Sequence, residues 1–222
     1  MSDKSIDTIK ADDIPSVDAK TALARLKSGN IAYQRGEFVS DYHAGREARA
    51  SSQYPFASIV GCADSRVAPE LLFNVLPGDL FVVRVAGNIV NDDGLASLEY
   101  ASEFLNTRLI VVLGHSGCGA VASAIKVLKK GVALPGKLPE LIAHIKPSIR
   151  DNMLAAMDND DLKCELHDKM PELLTTAIID NVNGNVTKLR QSAVIGARVT
   201  KEEIIVVGAL YDIATGEVHF LD

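Results

Sequence analysis

Residues 59–66 read Ile59-Val60-Gly61-Cys62-Ala63-Asp64-Ser65-Arg66, an apolar run that stops at a cysteine, an aspartate and an arginine in alternate positions. An apolar, β-branched run that ends at small and polar residues is typical of a buried strand followed by a loop. We therefore predict a strand over residues 56–61 that presents the thiolate of Cys62 at its end.

A second stretch of the same kind runs from Leu109 to Gly119, where Leu-Ile-Val-Val-Leu is followed by Gly-His-Ser-Gly-Cys-Gly. It predicts a strand over residues 108–113, with His115 after it and Cys118 at the start of the next helix. Since ligands collect at the carboxyl ends of parallel strands, Cys62, His115 and Cys118 are expected to lie together. Two thiolates and one imidazole fill three tetrahedral positions of zinc and leave the fourth for water, so we predict one Zn²⁺ per chain.

The order of apolar runs and helical patterns predicts the fold class. Further strands are expected over residues 80–85 and 203–211, with helices over residues 67–73 and 94–106 between the first three strands and a turn at Thr215-Gly216 before residues 217–221. Apolar strands alternating with helices indicate a parallel sheet covered on both faces. The prediction is an α/β fold with a mostly parallel central sheet of about four strands, a C-terminal antiparallel hairpin strand, helices on both faces and an N-terminal helical arm.

The chain is expected to form one domain, with a helical arm over residues 1–52 and a zinc-binding α/β catalytic domain over residues 53–222. In the arm, Ser16 is the predicted N-cap of a helix that stops at Ser28-Gly29-Asn30. Residues 138–190 are predicted to be helical, with Pro147 and Pro171 as breaks or helix starts.

Composition excludes several classes of function. The 222 residues carry a formal charge of -6 and a pI near 5.4, without a basic stripe, so no nucleic-acid or anionic-membrane partner is expected. No run of about eighteen apolar residues occurs, and the expected location is cytoplasmic, or periplasmic if an export signal has been removed. Three cysteines argue against a disulfide framework, and Cys164 is expected to be a half-buried structural residue.

Residues 62–67 and 115–119 resemble the two signatures of the β-class carbonic anhydrases. The likeness covers nearly the whole chain, with further matches at residues 77–79, 81–84, 86–88, 98–100, 207–211 and 215–216. The resemblance implies a zinc lyase, also called carbonate dehydratase, that converts carbon dioxide reversibly to bicarbonate and a proton.

The resemblance also implies a role for each site residue. Cys62, His115 and Cys118 correspond to zinc ligands, Asp64 to the residue that contacts the solvent on the metal, and Arg66 to its ion-pair partner. The substrate pocket is assigned to Gln53, Phe81, Val85, Tyr100 and Gly117. Because Gln53 and Tyr100 resemble residues that a partner subunit contributes, a homodimer or homotetramer is expected.

The resemblance also raises the possibility of a pH switch found in some members of this family. In that switch the aspartate takes the fourth zinc position at low pH, while a bicarbonate is held by Trp, Arg and Tyr. Arg84 and Tyr211 match two of these positions, but Ile59 occupies the third and the chain contains no Trp. We expect an open site at alkaline pH, with Asp64 on Arg66.

Three alternatives stay open at the level of sequence. One is a zinc-binding regulatory protein of the same fold without turnover. Another is a thiol-transfer or redox protein that uses Cys62 or Cys118 as a nucleophile. The third is a hydrolase of carbon disulfide or carbonyl sulfide.

Overall fold

A computed structural model describes residues 15–39, 41, 43, 45–158 and 170–221. The strands in this part of the chain are β1 Ala57–Gly61, β2 Leu80–Arg84, β3 Leu109–His115, β4 Ile205–Tyr211 and β5 Val218–Phe220. The helices are α1 Ala19–Gln34, α2 Arg46–Arg49, α3 Pro69–Leu72, α4 Asp92–Phe104, α5 Gly119–Lys130, α6 Leu138–Asp158, α7 Met170–Arg190 and α8 Ala193–Thr200. Of the helices described, none has the length and apolar character needed to cross a membrane.

The five strands form one sheet in the order β2-β1-β3-β4-β5. The first four are parallel and β5 is antiparallel to β4, which confirms the predicted fold class. Because β2 and β3 lie on opposite sides of β1, the chain reverses its direction across the sheet between β1 and β3. Such a switch point opens a crevice at the carboxyl ends of the strands.

Helices cover both faces of the sheet. Alternate residues of the strands face opposite ways, so Ile59 packs into a core with Leu26 of α1, whereas Val60 packs into another core with Val182 of α7. Ile59 and Val60 are both fully buried. Burial on both faces explains why the strands are continuous apolar runs rather than alternating ones.

The predicted limits of α1 are wrong at both ends. Asp18, not Ser16, is the N-cap, and its carboxylate accepts a hydrogen bond from the Thr21 N–H at 3.0 Å. The helix continues past Ser28-Gly29-Asn30 to Gln34. Residue 29 is glycine because a Cβ there would lie 1.8 Å from the Phe73 carbonyl oxygen. The glycine therefore marks a close approach of two backbones, not a helix end. The division at residue 52 stays a prediction.

The helical region after residue 138 also differs from the prediction. Pro147 lies inside α6, although an interior proline costs a helix about 3 kcal/mol. The fully buried Ile145 and Ile149 on either side of it show that tertiary packing holds this part of the helix. Pro171 lies in the first turn of α7, as predicted, but α8 was not predicted, and Cys164 lies outside the described residues.

Candidate metal centre

The structure brings together the three predicted metal ligands at the switch point. Cys62 directly follows β1, His115 is the last residue of β3, and Cys118 is the N-cap of α5. Gly61 pairs with Leu113 across the two strands, so both strands end at nearly the same level of the sheet. The ligand atoms of Cys62, His115 and Cys118 lie within 4.8 Å of one another, and all three residues are buried.

The hydrogen bonds of His115 leave one ring nitrogen available to a metal. Nδ1 lies 3.0 Å from the Ser116 carbonyl oxygen, which can only accept, so Nδ1 carries the proton and donates it. Nε2 is buried and has no hydrogen-bond partner. Since buried polar atoms are nearly always partnered, an unpaired nitrogen beside two sulfurs fits a zinc ion.

The surroundings of the two cysteines favour one negative charge, located on Cys62. The Cys118 thiol lowers the pKa of Cys62, burial opposes this, and His115 and the Gly87 N–H lower the pKa further. Conversely, Cys62 raises the pKa of Cys118, and burial adds to that rise. The pair therefore holds a negative charge that attracts a divalent cation.

Asp64 and Arg66 form the predicted ion pair next to this cluster. The Arg66 Nε donates to Asp64 Oδ1 at 2.9 Å, Nη2 donates to Oδ2 at 2.8 Å, and the Arg66 main-chain N–H donates to Oδ1 at 3.0 Å. These bonds hold the pKa of the Asp64 carboxyl well below its usual range. Oδ2 lies 3.9 Å from His115 Nε2, so the ionised carboxylate reaches the metal cluster.

Arg84 has a role that sequence reasoning missed. Its Nε donates to the Cys62 carbonyl oxygen at 2.9 Å and its Nη2 to the Asp64 carbonyl oxygen at 2.7 Å. The guanidinium thus fixes the backbone that carries a ligand and the carboxylate. Tyr211, the other residue that matched the bicarbonate switch, has its hydroxyl 3.4 Å from the Tyr33 hydroxyl.

Four of the five residues assigned to the substrate pocket fall into two pairs. Val85 packs against the core cluster that contains both cysteines, and Gly117 lies between the two ligands of the second signature with a positive φ of 67°. Phe81 contacts Tyr100 with ring centroids 6.5 Å apart, and Tyr100 stacks on Phe104 at 5.3 Å. Gln53 is exposed.

Comparisons with known proteins agree on one family. The family model described as carbonic anhydrase matches residues 57–218. The chain is 33% identical to carbonic anhydrase 2 of Mycobacterium tuberculosis over 214 residues, which cover 94% of this chain and 96% of that protein. It is also 33% identical to a carbonic anhydrase of Mycolicibacterium smegmatis, with 93% and 95% of the two chains covered.

A solved structure extends this similarity to three dimensions. A tetrameric β-carbonic anhydrase from the fungus Sordaria macrospora superposes with a TM-score of 0.67 and 25% identity. The match covers 91% of this chain and 94% of the fungal one.

Proposed function

The chain belongs to the β-carbonic anhydrases, zinc enzymes that hydrate carbon dioxide reversibly to bicarbonate and a proton, and we propose that Cys62, His115 and Cys118 hold the zinc. The observation that carries this assignment is the buried His115 Nε2, which has no hydrogen-bond partner although it belongs to a cluster of three residues whose ligand atoms lie within 4.8 Å of one another. When bound, zinc supplies the Lewis acidity that makes a nucleophile from water near neutral pH.

Asp64 orients the attacking solvent molecule. Its Oδ1 already accepts two hydrogen bonds from Arg66, whereas Oδ2 accepts one. A carboxylate oxygen has about two acceptor sites, so Oδ2 keeps one for a proton of the attacking solvent. Arg66 keeps the carboxylate ionised, and an ionised carboxylate can only accept, which aims the solvent lone pair away from Asp64 and at the substrate.

The substrate pocket is proposed to combine an apolar wall with a few polar donors. Phe81, Val85 and Tyr100 supply apolar surface for carbon dioxide, a nonpolar gas. The Gln53 amide donates to a substrate oxygen, and Gly117 allows the backbone to come close to it.

We propose that the active protein is a homo-oligomer in which Gln53 and Tyr100 complete the cleft of a neighbouring subunit. Tyr100 is 47% and Phe104 44% exposed, although the two rings stack on each other beside Phe81. β2, which carries Phe81, is an edge strand of the sheet. An exposed aromatic cluster at a sheet edge is typical of a surface that a partner covers.

Sedimentation velocity at assay concentrations is expected to show a dimer or tetramer. Phe104→Glu should shift the protein towards monomer and lower activity in parallel, because it places a charge in the aromatic cluster. The matched control is Phe38→Glu, which changes another exposed phenylalanine, 56% exposed on a different part of the chain. A fully active monomer of the unmodified protein would contradict the proposal.

A stopped-flow assay of carbon dioxide hydration tests the function directly. Activity should disappear when a chelator removes the metal and return when zinc is added back. The same assay with carbonyl sulfide and carbon disulfide as substrates tests whether the protein is a hydrolase of these compounds. Full hydration activity in metal-depleted protein would overturn the ligand assignment. The cytoplasmic location expected from the sequence stays a prediction.

A further inference from the structure

The loop between β2 and α4 is tied to α7 by three polar side chains. The Asn181 amide donates to the Gly87 carbonyl oxygen at 2.8 Å, and the Lys188 ammonium donates to the Val90 carbonyl oxygen at 2.6 Å. Asn185 accepts a hydrogen bond from the Val90 N–H at 2.8 Å. Positions 181, 185 and 188 share one face of the helix, so the side chains of that face form hydrogen bonds with the main chain of residues 87–90.

The tie is buried. Asn181 is 0% and Asn185 6% exposed, and the Asn185 amide also donates to the Asn181 carbonyl oxygen at 2.8 Å. Buried hydrogen bonds of this kind are held in place by packing and are costly to leave unpaired.

The same loop contacts a proposed metal ligand. The Gly87 N–H donates to the Cys62 Sγ at 3.2 Å, while the Gly87 carbonyl accepts from Asn181. One residue thus connects α7 to the sulfur. Hydrogen bonds to ligating atoms orient them and tune the metal they hold.

Gly87 has a backbone conformation that suits glycine, and its neighbours leave no room for a side chain. Gly87 has a φ of 75° and the next residue, Asn88, a φ of 44°, so two successive residues are left-handed. A Cβ on Gly87 would lie 2.8 Å from Ile145 Cδ1 and 3.1 Å from Ala120 Cβ. Packing against α5 and α6, together with the hydrogen bond from α7, therefore fixes the direction of the Gly87 N–H.

We propose that Asn181 is a positioning residue of the metal centre: by holding the Gly87 carbonyl, it keeps the Gly87 N–H on the Cys62 sulfur and so sets the charge that this sulfur donates to the metal. The inference rests on the proposed zinc ligation by Cys62. Without the tie, the N–H moves off the sulfur. The charge on the sulfur changes, and the sulfur is less well oriented towards the metal, which weakens metal binding.

The test compares Asn181→Ala with Asn30→Ala. Asn30 is the matched control, because it is 3% exposed and its amide donates to the carbonyl oxygens of Leu72 at 3.1 Å and Gly216 at 2.9 Å. Asn30 belongs to α1, on the opposite face of the sheet. Both variants lose a buried amide, but only Asn181→Ala loses the hydrogen bond to Gly87, the residue that donates to the Cys62 sulfur. Both are expected to lower the melting temperature.

Two readouts separate positioning from general stability. The first is the thiolate-to-metal charge-transfer band of the cobalt-substituted protein, and the second is the zinc dissociation constant from chelator competition. Asn181→Ala should shift the band and raise the dissociation constant by about tenfold or more, whereas Asn30→Ala should change neither. An unshifted band with unchanged zinc affinity in Asn181→Ala, or an equal change in both variants, overturns the inference.

A second variant covers the case in which Asn181→Ala does not fold. Asn181→Leu keeps a side chain of similar shape in the buried position and removes the donor to the Gly87 carbonyl oxygen. It should shift the cobalt band in the same direction as Asn181→Ala, and an unshifted band overturns the inference. If the unmodified protein shows no thiolate-to-cobalt band, the ligand assignment itself fails and the inference falls with it.

Discussion

Cys118→Ser is expected to lose the zinc and the activity together. A serine hydroxyl stays protonated near neutral pH and is a harder donor than a thiolate, so it replaces the sulfur poorly. Cys118 is also the N-cap of α5, where N–H groups of the first turn partly offset the rise in its pKa that Cys62 and burial cause. Carbon dioxide hydration should fall by more than about 100-fold, since even residues outside the ligand sphere cost about 10-fold to 100-fold when removed.

Metal content per chain and stopped-flow hydration measure this result on the same sample. Cys164→Ser is the matched control, because it makes the same substitution at a cysteine to which the sequence assigns no ligand role. Circular dichroism shows whether the variant keeps its fold. Full zinc content and full turnover in Cys118→Ser would show that the ligand set is wrong.

Asp64→Asn is expected to keep the zinc and to slow turnover by about 100-fold or more. Two Arg66 donors converge on the Oδ1 position and one on Oδ2, so the oxygen of the introduced amide is held at the Oδ1 position. The amide nitrogen then occupies the Oδ2 position, which faces the cluster. The site would present a donor where the attacking solvent requires an acceptor.

Zinc analysis and the turnover number of the loaded protein check this second result. Asp18→Asn is a suitable control, since Asp18 caps α1 and asparagine caps helices about as well as aspartate. Wild-type turnover in a zinc-loaded Asp64→Asn protein would remove Asp64 from the mechanism.

The strands and the ligands at their ends were predictable from the sequence. The runs ending at Gly61 and Leu113 are short, apolar and rich in β-branched residues, and each stops at residues with functional side chains. Parallel strands bring their carboxyl ends to one edge of the sheet, so Cys62 and His115 were expected at the same edge, and the pairing of β1 with β3 brings them together. In each case the residues that indicate the strand and its functional end lie within a few positions of them in the sequence.

Other features depend on contacts between distant parts of the chain. Ser28-Gly29-Asn30 has the local chemistry of a helix end, yet α1 continues because Gly29 admits the Phe73 carbonyl and Asn30 bonds to Leu72 and Gly216. Pro147 likewise stays inside a helix that packing holds. In both cases tertiary contacts outweigh the local preference.

The apolar runs and the polar residues that follow them therefore specify the strands, the functional residues at their ends and the atoms available to a metal. The support of these atoms depends on contacts in the folded chain: Arg84 donates to the carbonyls of Cys62 and Asp64, and Asn181 donates to the carbonyl of Gly87, 94 positions away. The physical reason is that a buried strand is specified by its own apolar residues, whereas a polar side chain acquires its role from the backbone group that packing places opposite it.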